Sequence, residues 1–277
     1  MIVKYVDVHC HIQFDQYAED ATQLIERMRE EGVVGIVVGV DYASSVQAVA
    51  LAEKHAHLFA TVGLHPNREG TEDYDNTQYR ALAEHPKVVG IGECGLDYFR
   101  PLEVTADVKQ KQKALLMKQI ALAASLDKAL IIHARPSKGT QDAYQDMIEL
   151  LKTAKESYPH LRGDIHFFVG GIAEAEALTG LGFTLSFTAV ITFAREYDAV
   201  LQTIPLTSIL SETDSPYVAP ASRRGSRNDP LAVIEVVRQI ATIRGEDLES
   251  VRTALITNAQ NLFTLTLSDF NQENVPK

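Results

Sequence analysis

The segment Tyr5-Val6-Asp7-Val8-His9-Cys10-His11 sets two histidines two residues apart at the end of a short apolar run. Alternate side chains of a strand share a face, so His9 and His11 can point at one ion. Imidazole suits zinc, manganese or iron, and a strand end is rigid enough to fix two ligands. Further candidate ligands close other apolar runs: Glu93 in Gly92-Glu93-Cys94-Gly95, His133 in Ile131-Ile132-His133-Ala134-Arg135, His166 in Asp164-Ile165-His166, and Asp214 in Glu212-Thr213-Asp214-Ser215-Pro216. Taken alone, each has a structural reading. His133 or His166 reads as a core histidine bonded to a backbone carbonyl, Asp214 as a cap for the turn before Pro216, and Glu93 as a solvated strand end. Asp7 reads either as a partner behind His9 or as a purely structural residue. Together, four histidines and two carboxylates at five strand ends make a metal centre the economical reading. Six protein ligands exceed what one zinc with an open catalytic position uses. The expectation is therefore two divalent ions (magnesium, manganese or zinc) sharing a carboxylate, with Glu93 as the bridge.

Eight short β-branched runs must position these residues: Tyr5–His9, Gly35–Val40, Phe59–Leu64, Val88–Glu93, Ala129–His133, Gly163–Phe168, Phe183–Phe187 and Ser208–Ser211. Between and after them lie amphipathic segments such as Ala18–Glu31, Ser44–Ala56, Val108–Leu126, Gln141–Ser157, Arg195–Gln202, Pro230–Arg244 and Asp247–Thr264. That alternation is the pattern of βα units on a parallel sheet, and eight units predict an α/β fold, a single (β/α)8 TIM-type barrel. In such a barrel the active site occupies the C-terminal ends of the strands, where the candidates fall. No Pro/Gly/Ser-rich linker divides the chain, so residues 1–267 are expected to form one domain, followed by a polar tail over 268–277. A doubly wound open sheet is the alternative, but a Gly-rich phosphate loop after the first strand is missing.

The chain has 277 residues, is 45% hydrophobic and carries a formal net charge of −11. That composition suits an ordinary globular fold with a large core. It argues against a surface that binds nucleic acid by bulk charge, though a deep site can supply positive charge through metal ions and a few arginines. No run approaches a membrane helix and no signal-peptide pattern opens the chain, so a cytoplasmic location is expected. The two cysteines, Cys10 and Cys94, cannot build a disulfide framework and read as buried reduced thiols.

From Asp7 to about Phe263 the sequence resembles the TatD family of metal-dependent hydrolases, within the amidohydrolase-type barrels. The motifs that carry the resemblance are Asp7-Val8-His9-Cys10-His11, Gly63-Leu64-His65-Pro66, Gly90-Ile91-Gly92-Glu93-Cys94-Gly95-Leu96-Asp97, Ile132-His133-Ala134-Arg135, Glu212-Thr213-Asp214-Ser215-Pro216-Tyr217 and Arg224-Gly225-Ser226-Arg227-Asn228-Asp229-Pro230. The resemblance implies that His9, His11, Glu93, His133, His166 and Asp214 hold divalent metals. It implies DNA as substrate, while some relatives deacylate mischarged transfer RNA. Two segments depart from the family pattern, Phe167-Phe168-Val169-Gly170-Gly171 after His166 and Pro136-Ser137-Lys138-Gly139-Thr140 after Arg135. Neither touches an expected ligand, and both border the substrate region.

Two ions lower the pKa of a shared water toward neutrality, and Asp214 is placed to accept its proton, so Asp214 and Glu93 are the expected catalytic residues. His65, Arg135, Arg224 and Arg227 are the expected substrate contacts, with His65 outside the ligand set. For Arg224 a solvated surface charge is an equal reading. The first functional expectation is a metal-dependent phosphodiesterase acting on single-stranded DNA or exposed ends. Its rivals are an esterase or deacylase, such as a D-aminoacyl-tRNA deacylase, and a non-catalytic binding or scaffold barrel. The complete ligand set argues against the last.

Overall fold

The computed structural model describes residues 1–68, 72–101 and 103–267. The expected polar tail, 268–277, lies outside the described residues. Eight parallel strands each pair with the next in chain order: β1 (Tyr5–Cys10), β2 (Val33–Val38), β3 (Leu58–Val62), β4 (Val88–Asp97), β5 (Ala129–Arg135), β6 (Gly163–His166), β7 (Thr184–Phe187) and β8 (Ile209–Ser211). One α-helix follows each strand: α1 (Ala21–Glu31), α2 (Tyr42–Lys54), α3 (Asn76–Ala83), α4 (Ala106–Ser125), α5 (Asp142–Ser157), α6 (Ile172–Gly180), α7 (Asp198–Thr203) and α8 (Val233–Arg244). A further helix, α9 (Leu248–Phe263), ends the described chain. The expected (β/α)8 barrel is what the chain forms.

Side chains on the two faces of the sheet separate into two apolar clusters. Val33, Val37, Ala60, Val62, Ile132 and Ile165 pack under the helices. Val6, Val8, Val34, Ile36, Ala129, Ile131 and Leu210 pack with Leu262, Phe263, Leu265 and Leu267. Because β1, β2, β5 and β8 all contribute, this second cluster fills the barrel interior, and the end of α9 plugs its lower mouth. Asp247 starts α9 by accepting the Ser250 amide, and Thr264 stops it in a left-handed conformation. The plug leaves only the opposite end of the barrel open to carry chemistry.

Three local differences from the periodicity matter. Helices α3 and α6, eight and nine residues long, fall outside the amphipathic segments named from the sequence. The fourth strand continues past Glu93 to Asp97, carrying a second carboxylate to the rim. The sixth ends at His166 rather than Phe168, because Phe167 takes a φ of 47° that no strand continues through.

Closure between β8 and β1 comes chiefly from the segment after β8. Asp214 donates its amide to the His9 carbonyl at 2.9 Å, and His11 donates to the Ser215 carbonyl at 2.8 Å. Asp7 braces the same seam, accepting the Thr213 amide at 3.0 Å and the Thr213 hydroxyl at 2.7 Å. The seam therefore sets the first and last expected ligands side by side. No helix among the described residues is long and apolar enough to cross a membrane.

Candidate metal centre

Strict strand alternation does not deliver the ligands; two β-bulges do. Asp7 pairs with Gly35 and Cys10 with Val37, so β1 carries one residue more than β2 across the interval that holds His9. Ile91 pairs with Leu130 and Cys94 with Ile132, so β4 likewise carries an extra residue around Glu93. A bulge re-aims the side chain at its centre, and here both inserted stretches carry expected ligands. Gly92 permits the second one: its φ is 149°, and a Cβ there would lie 2.4 Å from the Ile131 carbonyl oxygen.

The result is two groups of ligand atoms meeting at one carboxylate. Glu93 Oε2 lies 3.5 Å from His9 Nε2 and 3.9 Å from His11 Nε2, and Asp214 Oδ1 lies 3.4 Å from His11 Nε2. Glu93 Oε1 lies 3.0 Å from His133 Nδ1 and 2.9 Å from His166 Nε2. Within each of the triads His9–His11–Glu93 and Glu93–His133–His166, the ligand atoms lie within 4.8 Å of one another. Mixed imidazole and carboxylate donors at this spacing fit a divalent metal ion.

Each histidine turns its remaining nitrogen toward an acceptor. His11 Nδ1 bonds to the Val38 carbonyl at 2.8 Å, and His133 Nε2 faces Asp97 Oδ2 at 3.1 Å. His9 Nδ1 and His166 Nδ1 lie 3.7 and 3.5 Å from Glu212 Oε2. A proton on each of these outer nitrogens leaves the inner one with a lone pair for metal. Asp97 is itself fixed by the amides of Phe99 and Arg100 and by the Asn67 side chain.

The electrostatics keep the inner carboxylates charged. Burial opposes ionisation of Glu93, but His65, His166 and His133 outweigh it and hold the carboxyl well below its usual range. Burial is likewise outweighed at Asp214, by His11, His9 and His166, and its carboxyl lies below the ordinary value. Burial beside His166 lowers His9. Deeper carboxyls behave oppositely: burial pushes Asp164 up to about 7 and raises Asp7 well above the usual range.

A cavity of about 830 Å³ opens above the centre, lined among others by His65, Arg68, Arg100, Arg135, Asp214 and Tyr217. Its acidic lining residues are Glu93 and Asp214, so three arginines ring a carboxylate floor in a chain of net charge −11. His65 Nδ1 accepts the Asn67 amide at 3.1 Å, so its proton sits on Nε2, 3.2 Å from Glu93 Oε1. Arg135 lines the cavity with its guanidinium 4.1 Å over the exposed Phe99 ring. Arg224 and Arg227 do not line it. Arg224 covers Phe193 at 3.7 Å. Arg227, expected at the rim, is held instead by both Asp20 oxygens and the Gln16 carbonyl. Neither Glu212 nor Asp97 stands out as functional in the sequence, although each lies within four residues of an expected ligand.

Comparison with known proteins agrees with this geometry. The family model described as TatD related DNase matches residues 6–264. A Bacillus subtilis (strain 168) protein named uncharacterized metal-dependent hydrolase YabD is 34% identical over 263 residues, 94% of this chain and 98% of that protein. The Erwinia amylovora protein named 3′-5′ ssDNA/RNA exonuclease TatD is 32% identical over 270 residues, covering 94% of this chain and 99% of its own length. Among solved structures, the TatD homologue YjjV of Escherichia coli K12 superposes with a TM-score of 0.85 at 28% identity, over 96% of this chain and all of that one.

Proposed function

The chain belongs to the family of TatD-related DNases, metal-dependent hydrolases, and on that premise we propose that residues 1–267 act as one catalytic barrel, a two-metal 3′-5′ exonuclease on single-stranded DNA or RNA. One observation carries the two-metal part: the two oxygens of Glu93 face different ligand groups, Oε2 toward His9 and His11 and Oε1 toward His133 and His166. His9, His11, Glu93 and Asp214 would hold one ion, and Glu93, His133 and His166 the other. Such ions supply Lewis acidity at the scissile phosphate and lower the pKa of water toward neutrality.

The protein's own groups do the rest. Asp214, lining the cavity beside His9 and His11, orients the attacking water and takes its proton. Arg135, with Arg100 and Arg68 on the same wall, binds non-bridging phosphate oxygens. His65, lining the cavity with its Nε2 proton toward Glu93 Oε1, contacts substrate beside that carboxylate. Tyr217, exposed and lining the cavity, offers a face on which an unpaired base stacks, a support for single strands over duplex. Manganese or zinc suits four histidines better than magnesium alone. We assign the chain to the cytoplasm, where the buried thiols of Cys10 and Cys94 stay reduced.

The test is hydrolysis of oligonucleotides labelled at either end, by metal-stripped protein with magnesium, manganese or zinc restored. Mononucleotide release from the 3′ end, dependent on metal and reduced at least a hundredfold by Glu93→Gln and Asp214→Asn, supports the reading. Intact nucleic acid beside stoichiometric metal binding rejects it and turns the search to acyl esters.

A further inference from the structure

Three buried polar atoms without a hydrogen-bond partner meet at one point beneath the metal centre: His9 Nδ1, His166 Nδ1 and Glu212 Oε2. The two imidazoles come from β1 and β6, on different sides of the barrel, and stack with centroids 3.9 Å apart and planes 18° from parallel. Glu212 Oε2 lies 3.7 Å from the first Nδ1 and 3.5 Å from the second. We propose that Glu212 is a positioning residue shared by both halves of the centre, one carboxylate oxygen fixing the orientation of one histidine from each. The inference rests on the two-ion reading above.

The surroundings leave Glu212 in that role. Its other oxygen accepts the Phe167 amide, which anchors the carboxylate and turns Oε2 inward. The neighbouring buried carboxyls have donors of their own. Asp7 accepts from Thr213 and the His9 amide, and Asp164 from Thr184 and Ser186. Among the described residues, neither donates to nor accepts from an imidazole nitrogen. An uncompensated buried carboxylate oxygen is costly, and so is an unpaired imidazole N–H. Both costs are removed together when the rings draw in by a few tenths of an ångström. His133 is different, because its outer nitrogen already rests on Asp97, which serves one half alone.

The experiment titrates manganese into metal-stripped full-length protein by calorimetry, for wild type, Glu212→Gln and Asp97→Asn, with circular dichroism confirming the fold. Glutamine can keep the Phe167 bond while turning an amide N–H toward the two imidazole donors. The expected result is two equivalents in wild type, a loss of about 10- to 100-fold in affinity at both for Glu212→Gln, and a loss of that size at one for Asp97→Asn. Weakening of one equivalent or neither by Glu212→Gln overturns the proposal. Wild type binding a single equivalent instead removes the two-ion reading, and the proposal with it, before any variant is considered. A second measurement needs no substitution: imidazole 15N shifts in zinc-loaded wild type should show N–H at Nδ1 and metal at Nε2 for both His9 and His166. The reverse for either ring overturns the proposal even where the variant fails to fold.

Discussion

Asp97 Oδ2 sits 3.1 Å from His133 Nε2, and that contact leaves His133 Nδ1 aimed at Glu93 Oε1, 3.0 Å away. Removing the charge while keeping the shape separates orientation from packing. Asp97→Asn, whose amide N–H would face the Asn67 and His133 donors, should lower kcat by about 10- to 100-fold and also lower the melting temperature, checked by steady-state kinetics beside thermal melting. An unchanged kcat would show that His133 needs no brace.

The arginines divide by their partners. Arg135 faces the cavity, whereas Arg227 pairs with Asp20 on an exposed surface and stays outside it. Arg135→Ala should raise KM for an oligonucleotide at least fivefold. Arg227→Ala should leave KM within twofold and cost at most about 1 kcal/mol of stability, as for other exposed ion pairs. A KM effect confined to Arg227→Ala would reverse the assignment.

A pH-dependent element of stability lies far from the cleft. His57, bonded to the Ile25 carbonyl at 3.1 Å, is lowered by burial from 6.5 to about 4. As pH falls below about 6.5 the unfolded chain takes up this proton and the folded chain does not, so stability is lost down to about pH 4 and is fully present above 6.5. The contribution is about 2 to 3 kcal/mol. Urea melts of wild type and His57→Gln at pH 8 and pH 4.5 should differ in their pH dependence by that amount, with the variant flatter.

The plug at the lower mouth is testable apart from chemistry. Phe263 is 3% exposed and packs into the barrel interior, so Phe263→Ala should destabilise by about 3 to 5 kcal/mol. Bound metal, measured by elemental analysis on folded protein, should stay unchanged. Loss of metal from a folded variant would mean that the plug also shapes the site.

The barrel and the chemistry of its rim were legible because both reside in local signals. Apolar runs of strand length recur eight times, and histidines and carboxylates at their ends stand out against them. What stayed hidden depends on partners distant in the chain. Arg227 reads as a rim cation until Asp20, from the opposite end of the sequence, is seen to hold it. Glu212 reads as one more polar residue beside Asp214 until β1 and β6 bring their histidines over it. The bulges at His9 and Glu93 leave no mark in a two-residue repeat, because an inserted residue is visible only against the strand that it pairs with.

The seam between the first and last strands has a consequence for synthesis. Among the expected ligands His9 and His11 leave the ribosome before the rest and Asp214 after them, and the bonds from Asp214 to His9 and from His11 to Ser215 join them only then. Domains form as the chain emerges, N-terminal portions first, yet the full candidate centre cannot assemble on a nascent fragment that stops short of Asp214. A product broken off before Thr213 lacks the closing seam and a ligand together. A chain terminated before Asp214 is thus expected to be chemically silent without any inhibitor to restrain it.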